Sequence, residues 1–227
     1  MTEYEGPECA LCRVIACDGA PGAKAPPRFC PALTEHELLA EVEATYLDDD
    51  TLRRMALESA RTEAAGYCVA TRVEETMDFA RRMGWRRLGI AHCVGLMREA
   101  GVARDIFEAN GFEVFTVCCK TGSIDKESVG LTDEEKVHPG QYEVMCNPVG
   151  QAALLAGAGT EFNVVMGLCV GHDSLFMRHS VAPVTVLGVK DRVLGHNPLA
   201  ALYLADGYFH DRLFPAAQDH DVRPRRE

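Results

Sequence analysis

Thiols are the residues through which this chain can do chemistry, and they fall into two groups. Cys9, Cys12, Cys17 and Cys30 follow the spacing C-x2-C-x4-C-x12-C, with Pro31 directly after the last. A C-x2-C turn lets two thiolates grip one centre while the loop brings in the others. Four thiolates close a tetrahedral zinc site. They also hold a 4Fe-4S cluster, where a proline after the last ligand is seen in bacterial runs. Spacing alone leaves zinc and iron-sulfur open. The second group, Cys93, Cys118, Cys119, Cys146 and Cys169, is scattered along the chain but shares a setting. Cys93 follows RRLGIAH, Cys118 and Cys119 follow FEVFTV, Cys169 follows NVVMGL, and Cys146 precedes the helix-start signal Asn147-Pro148. Where a strand gives way to a helix, backbone N–H groups and the helix dipole stabilise thiolate and sulfide charge. Three or four of these thiols on one edge could hold a metal cluster. The competing reading is core packing plus one reactive thiol, since a lone buried cysteine behaves as a small hydrophobe. Neighbours on a strand point to opposite faces, so only one of Cys118 and Cys119 is expected to face the site. Cys68 ends an amphipathic helix pattern and reads as a packing residue.

Polar groups are expected beside the same thiols. Lys120 follows Cys119, His172 and Asp173 follow Cys169, and Lys190-Asp191-Arg192 ends an apolar run, with His196 and Asn197 close behind. Lys190, Asp191 and His172 are the candidates for orienting a substrate or moving a proton; an ordinary solvated strand end is the alternative. Asn147-Pro148 and Asn197-Pro198 could each cradle an anion, though Asx-Pro is also a common helix start. No G-x-G-x-x-G follows the first strand and no G-x-x-x-x-G-K-[ST] occurs, so dinucleotide and P-loop triphosphate readings lose their usual support.

The elements that must position these residues alternate from residue 86 onward. Strands are expected over 87–92, 112–118, 162–168 and 183–189, and helices over 95–110, 147–157, 172–179 and 198–213. Such alternation indicates an α/β fold: an open, Rossmann-like parallel sheet flanked by helices, whose ligands gather at the carboxyl ends of the strands. Residues 120–145 interrupt the pattern as a long insertion at that edge, a lid or a binding loop. Between 33 and 85 the pattern is helical, with capping boxes at Thr34 to Glu37 and at Thr71 to Glu74 and acid at Asp48 to Asp50. Residues 1–32 are rich in Gly, Pro and Cys and poor in periodic apolar surface, so a bound metal would have to order them. The organisation read from this is a cysteine-rich segment over 1–32 and an α/β domain over 33–227, with a polar tail, AAQDHDVRPRRE.

Composition narrows the class. With 47% hydrophobic residues and 227 in all, one globular domain with a real core and a small appendage is affordable. A formal net charge of -11 argues against nucleic-acid or anionic-membrane partners, which need a basic face. No run approaches the roughly 18 apolar residues of a membrane span, and the first residues lack the basic and apolar parts of a signal peptide. The expectation is a cytoplasmic protein whose thiols stay reduced, favouring metal or redox chemistry over disulfides. A small-molecule substrate and a redox partner fit that reading, and a homo-oligomer is left open.

Taken together, the N-terminal ECALC...FCP segment, the VCCKTG strand end and the motifs GLCVGHD and VKDRVLGHNP resemble a family of uncharacterised bacterial and archaeal proteins. It is known as the domain of unknown function eighteen forty-seven and is often labelled metal-binding. The resemblance implies a metal or iron-sulfur centre, oxygen-sensitive if the anaerobic habit of such families applies. At fold level there is also an analogy to desulfidases that hold a 4Fe-4S cluster with three cysteines and leave one iron open. The resulting expectation is an iron-sulfur protein with an enzymatic centre, a reductase, lyase or desulfidase, acting on a small polar or sulfur-containing substrate. Its alternatives are a zinc protein with reactive edge thiols and a non-catalytic carrier or electron-transfer protein.

Overall fold

The computed structural model describes residues 6–215, so the expectation for the tail from Ala216 onward lies outside the described residues. Two compact units are formed, one up to Ala65 and the other from Gly66 onward.

In the first unit, Cys9–Leu11 and Ala16–Asp18 are single 3-10 turns, followed by α1 (Pro31–Thr34), α2 (His36–Asp48) and α3 (Asp50–Gly66), which runs to the boundary. Asp49 caps α3, its carboxylate accepting from the N–H groups of Thr51 (2.8 Å) and Leu52 (3.0 Å). The expected capping box at Thr34 to Glu37 does not form. Pro31, preset for a first helical position, starts α1 early, so Thr34 is already helical and Glu35 heads α2 without a side-chain cap.

The second unit is built on a four-stranded parallel sheet of β1 (Arg87–His92), β2 (Glu113–Cys118), β3 (Phe162–Leu168) and β4 (Val184–Val189), in the order β2-β1-β3-β4. This is the expected α/β, doubly wound arrangement. β1 and β3 are buried along nearly their whole length because both faces are covered, and apart from Arg87, His92 and Asn163 they carry apolar residues or glycine. On one face, Leu88, Ile90, Val164 and Met166 pack against Met77 and Ala80 of α4 (Arg72–Met83) and against Ala100, Ala103 and Phe107 of α5 (Met97–Ala109). On the other, Ala91 and Val165 meet Ala152 and Leu155 of α6 (Pro148–Gly157) and Phe176 of α7 (His172–His179). The capping box at Thr71 holds as expected: Glu74 N–H donates to Thr71 Oγ1 (3.4 Å) and Thr71 N–H to the Glu74 carboxylate (2.7 Å).

Two local features depart from the sequence pattern. The helix expected over 198–213 is broken into α8 (Leu199–Tyr203) and α9 (His210–Leu213); Asp206-Gly207 falls between them, and both residues are poor helix formers. Cys68 is exposed, in a left-handed backbone conformation (φ 55°), and is not a packing residue. Among the described residues no helix is long and apolar enough to cross a membrane.

The strand order reverses between β1 and β3, so the crossovers on either side leave a crevice at their carboxyl ends, the place where open parallel sheets bind ligands. Cys93 and Cys169 are the residues that follow those two strands. β3 carries an irregular register with β4 around Met166, and Gly167 sits there at φ 68°. Such bulges re-aim the end of a strand. A Cβ on Gly167 would run into Leu96 Cδ1, so only glycine lets the turn after β1 close over the end of β3.

Candidate functional site

The turn Val94–Leu96 that follows β1 presents two backbone N–H groups to sulfur. Gly95 N–H donates to Cys93 Sγ and Val94 N–H to Cys119 Sγ, both at 3.4 Å. Cys119 extends the ladder past β2 by donating its N–H to His92 O (2.8 Å) and is almost wholly buried. Cys146, arriving from the long insertion just before α6, places its Sγ 3.8 Å from Cys119 Sγ. Cys169, after β3, accepts from the Arg192 guanidinium at 3.3 Å. Four thiols from three strand ends and one helix start therefore share one edge, all of them free.

Their charge states are made unequal. Cys146 is brought down to about 5, first by the hydrogen bond from Cys119 and then, against its own burial, by the positive fields of Lys120 and His172. Cys119 is pushed well above the ordinary thiol range by giving that hydrogen bond and by burial. Arg192 is held more firmly in its charged form by Cys169, with Cys93 and Cys146 contributing at longer range.

A cavity of about 580 Å³ opens beside Cys146 and Cys169 and is lined as well by His172, Arg192 and Lys120. Its outer wall is the 120–145 insertion, which is tied down by its own groups. Asp125 bridges to Val144, Lys126 pairs with Glu143 (2.5 Å), and Tyr142 Oη donates to Ser123 O (2.7 Å). Lys136, with only 4% of its side chain exposed, pairs with Glu127 and Asp133. The Lys126 contact is also the main reason the Glu143 carboxyl is lowered to about 2. The insertion is thus an ordered wall rather than a loose strap.

The expected residues divide as follows. Cys93, Cys119, Cys146 and Cys169 come together. Cys118 is partly buried against the apolar cluster on the α6 and α7 side of the sheet; its neighbour Cys119 is the one that meets Cys146. His172 lines the cavity, and its Nδ1 is buried without a hydrogen-bond partner. Lys190 stands at the Cys93 side: a Cβ on Gly95 would lie 3.6 Å from Lys190 Nζ and 4.0 Å from Cys93 Sγ. Asp191 spends its carboxylate on the N–H groups of Val193 (2.9 Å) and Leu194 (2.7 Å), shaping the turn that carries Arg192. At the N-terminus, Cys9 and Cys12 share one turn (Cys12 N–H to Cys9 O, 3.0 Å), and Ile15 N–H donates to Cys12 Sγ (3.3 Å). Cys17 is exposed and Cys30 caps α1.

Gln151 went unnoticed in the sequence. It is fully buried in α6 and donates through Nε2 to His92 O (3.2 Å) and Val117 O (2.7 Å), tying together the strand ends that carry Cys93 and Cys119. Its only signal is a polar residue within the apolar face of a helix pattern.

Soft, thiolate-rich donor sets suit zinc, copper(I) or iron-sulfur centres. The Cys119–Cys146 separation equals the roughly 3.8 Å edge of two thiolates on one tetrahedral metal with bonds of about 2.3 Å. Among the described residues no three His, Cys, Asp or Glu side chains close on a single ion position. In a polynuclear cluster the thiolates sit on different metals, so they need not converge on one point, and hydrogen bonds to sulfur are part of such sites. The Cys119–Cys146 pair has the spacing of two thiolates on one metal, and Cys93 and Cys169 do not close on the same point.

Residues 30–187 match the family described as protein of unknown function, DUF1847. The chain belongs to that family. It is also similar to an uncharacterised protein of Methanocaldococcus jannaschii, with 44% identity over 158 residues, covering 70% of this chain and 79% of that protein. The DUF1847 match spans all the edge cysteines; Cys9, Cys12 and Cys17 precede it, and Lys190, Asp191 and Arg192 follow it.

Proposed function

We propose that the strand edge is the working centre of an iron-sulfur enzyme, with Cys93, Cys119, Cys146 and Cys169 as its thiolate donors. The observation that carries the reading is their convergence at the β1/β3 crevice, with N–H donors and cations turned toward sulfur and a cavity alongside. Burying several thiolates is costly unless their charge is matched; the metal would match it from within, and Lys120, Arg192 and Lys190 match it from outside. Held by all four thiolates, such a centre would supply electron transfer; held by only three of them, it would leave one iron open to act as a Lewis acid toward a substrate atom. The chain's own part is to hold the donors, admit a small polar or sulfur-containing substrate to the cavity, and present His172 and Lys190 as proton carriers. A redox partner completes the reading if the chemistry moves electrons. The N-terminal cysteines form a second centre in the same proposal, of zinc or iron-sulfur, supported by the Cys9–Cys12 turn and the N–H donated to Cys12.

Single Cys93→Ser, Cys119→Ser, Cys146→Ser and Cys169→Ser chains, purified without oxygen beside Cys68→Ser, test the assignment. Each of the four is expected to lose iron and acid-labile sulfide from the edge centre while Cys68→Ser keeps both. Full iron content in any two of the four would overturn the donor set.

A second reading is favoured by one specific feature, the low-titrating Cys146 beside Lys120 and His172. In it the edge holds no cluster, Cys146 is a reactive thiolate, and any metal is a structural zinc at the N-terminus. Alkylation of Cys146 in the protein as isolated would then be fast, whereas a metal-bound sulfur resists it.

A further inference from the structure

Resting on the reading that the strand edge is a substrate-binding centre, we propose that the cavity takes a small carboxylate carrying an apolar chain. The unspent hydrogen-bond donors of the cavity point to an anion. The chain as a whole has a formal charge of -11, yet Lys120, Lys126 and Arg192 line this cavity, facing Glu143 and the sulfurs of Cys146 and Cys169. Glu143 is already paired with Lys126. Neither Lys120 nor Arg192 has a carboxylate partner among the described residues: Lys120 donates to Val144 O and to the Cys146 sulfur, and Arg192 to the Cys169 sulfur. Arg192 spends one of its five donors on that contact and keeps a planar fork suited to a carboxylate. His172 Nδ1, buried and unpartnered, adds one more donor to a bound anion in the tautomer that carries its proton there.

The rest of the wall narrows the class. Val129, Leu131, Val137 and Met145 give the cavity a predominantly apolar side, and its volume of about 580 Å³ falls in the range of roughly 300–1,000 Å³ usual for small-molecule sites. Inorganic phosphate would leave that side against water, and phosphate sites are typically read by runs of backbone N–H groups, whereas the donors here are side chains at one end of an apolar trough. A carboxylate with a chain of several carbons uses both ends, the head at Arg192 and Lys120 and the chain against the insertion.

Isothermal titration of the full chain with hexanoate tests this, with 1-hexanol and inorganic phosphate as comparators and iron and zinc counted on the same preparation. Hexanoate is expected to bind at least tenfold more tightly than either comparator. Arg192→Gln and Lys120→Met are each expected to weaken it by tenfold or more, while Arg212→Gln in α9 leaves it unchanged. No hexanoate binding, phosphate binding as tight as hexanoate, or binding that survives both substitutions would overturn the inference. If one of the two variants fails to fold, the other decides. The metal count keeps the two proposals apart. Hexanoate binding by a chain without iron supports the cavity assignment and defeats the iron-sulfur reading, and an iron-loaded chain that ignores hexanoate does the reverse.

Discussion

Two thiols 3.8 Å apart, one buried and one partly buried, do not both ionise readily, and the surroundings here decide which one does. Cys119 lies deeper and keeps its proton, while Cys146 faces Lys120 and His172 and accepts the hydrogen bond. In the metal-free protein Cys146 is thiolate above about pH 5 and is progressively protonated as the pH falls through that value. Its alkylation by iodoacetamide should therefore be nearly constant from neutral pH down to about 6 and fall below 5, because the thiolate is the reactive form. Lys120→Met removes one of the fields that lower it and should move the midpoint upward. Mass-spectrometric rates at Cys146 across pH read both effects, and a midpoint near the ordinary thiol value of about 8.5 would contradict the assignment. Glu143 titrates lower still: brought down to about 2, its carboxylate keeps the pairing with Lys126 through the ordinary carboxylate range and gives it up only as the pH falls toward that value.

At the scale of elements, the site depends on how α6, the insertion and the bulge in β3 hold the strand ends. Gln151→Glu keeps the shape of the side chain but sets a carboxylate against two carbonyls in a fully buried position. It should cost about 2 kcal/mol or more in urea unfolding and lower metal retention as well. A stability within 0.5 kcal/mol of the parent, the range of ordinary surface changes, would mean that Gln151 does not tie the strands. Glu143→Gln should speed amide exchange of Lys126 and Met145, whose N–H groups donate to Glu143 O and Ile124 O, without changing exchange in β1. Much of this level was legible in the sequence. The spans of β1 and β3 follow from short, mostly apolar runs closed by turn residues, and the Thr71 capping box from a side-chain pair three residues apart. What the sequence did not carry were choices between near-equal local options, such as Pro31 starting a helix ahead of Thr34. Contacts made only on folding were equally invisible, as with Gln151 reaching across to two strand ends.

For the whole molecule, the edge centre and the N-terminal cysteines stand on different ground. The edge thiols lie within the part that places the chain in the DUF1847 family, and their convergence follows from strand order, since a parallel sheet puts the ends of β1, β2 and β3 side by side. That convergence was foreseeable from where the cysteines fall in the pattern; the singling out of Cys119 over Cys118 needed the insertion to return Cys146 to that spot. The cysteines before residue 30 rest on their spacing and on one shared turn. A Cys9→Ser, Cys12→Ser double variant should accordingly keep the edge centre and its colour while losing the metal of the N-terminal segment. The most direct test of the account is purification without oxygen, followed by the visible spectrum and counts of iron, acid-labile sulfide and zinc per chain. A brown protein is expected, with iron and sulfide in equal amounts, about two to four of each for the edge centre. A colourless protein with about one zinc and no iron, the content of a single closed four-thiolate site, would contradict it.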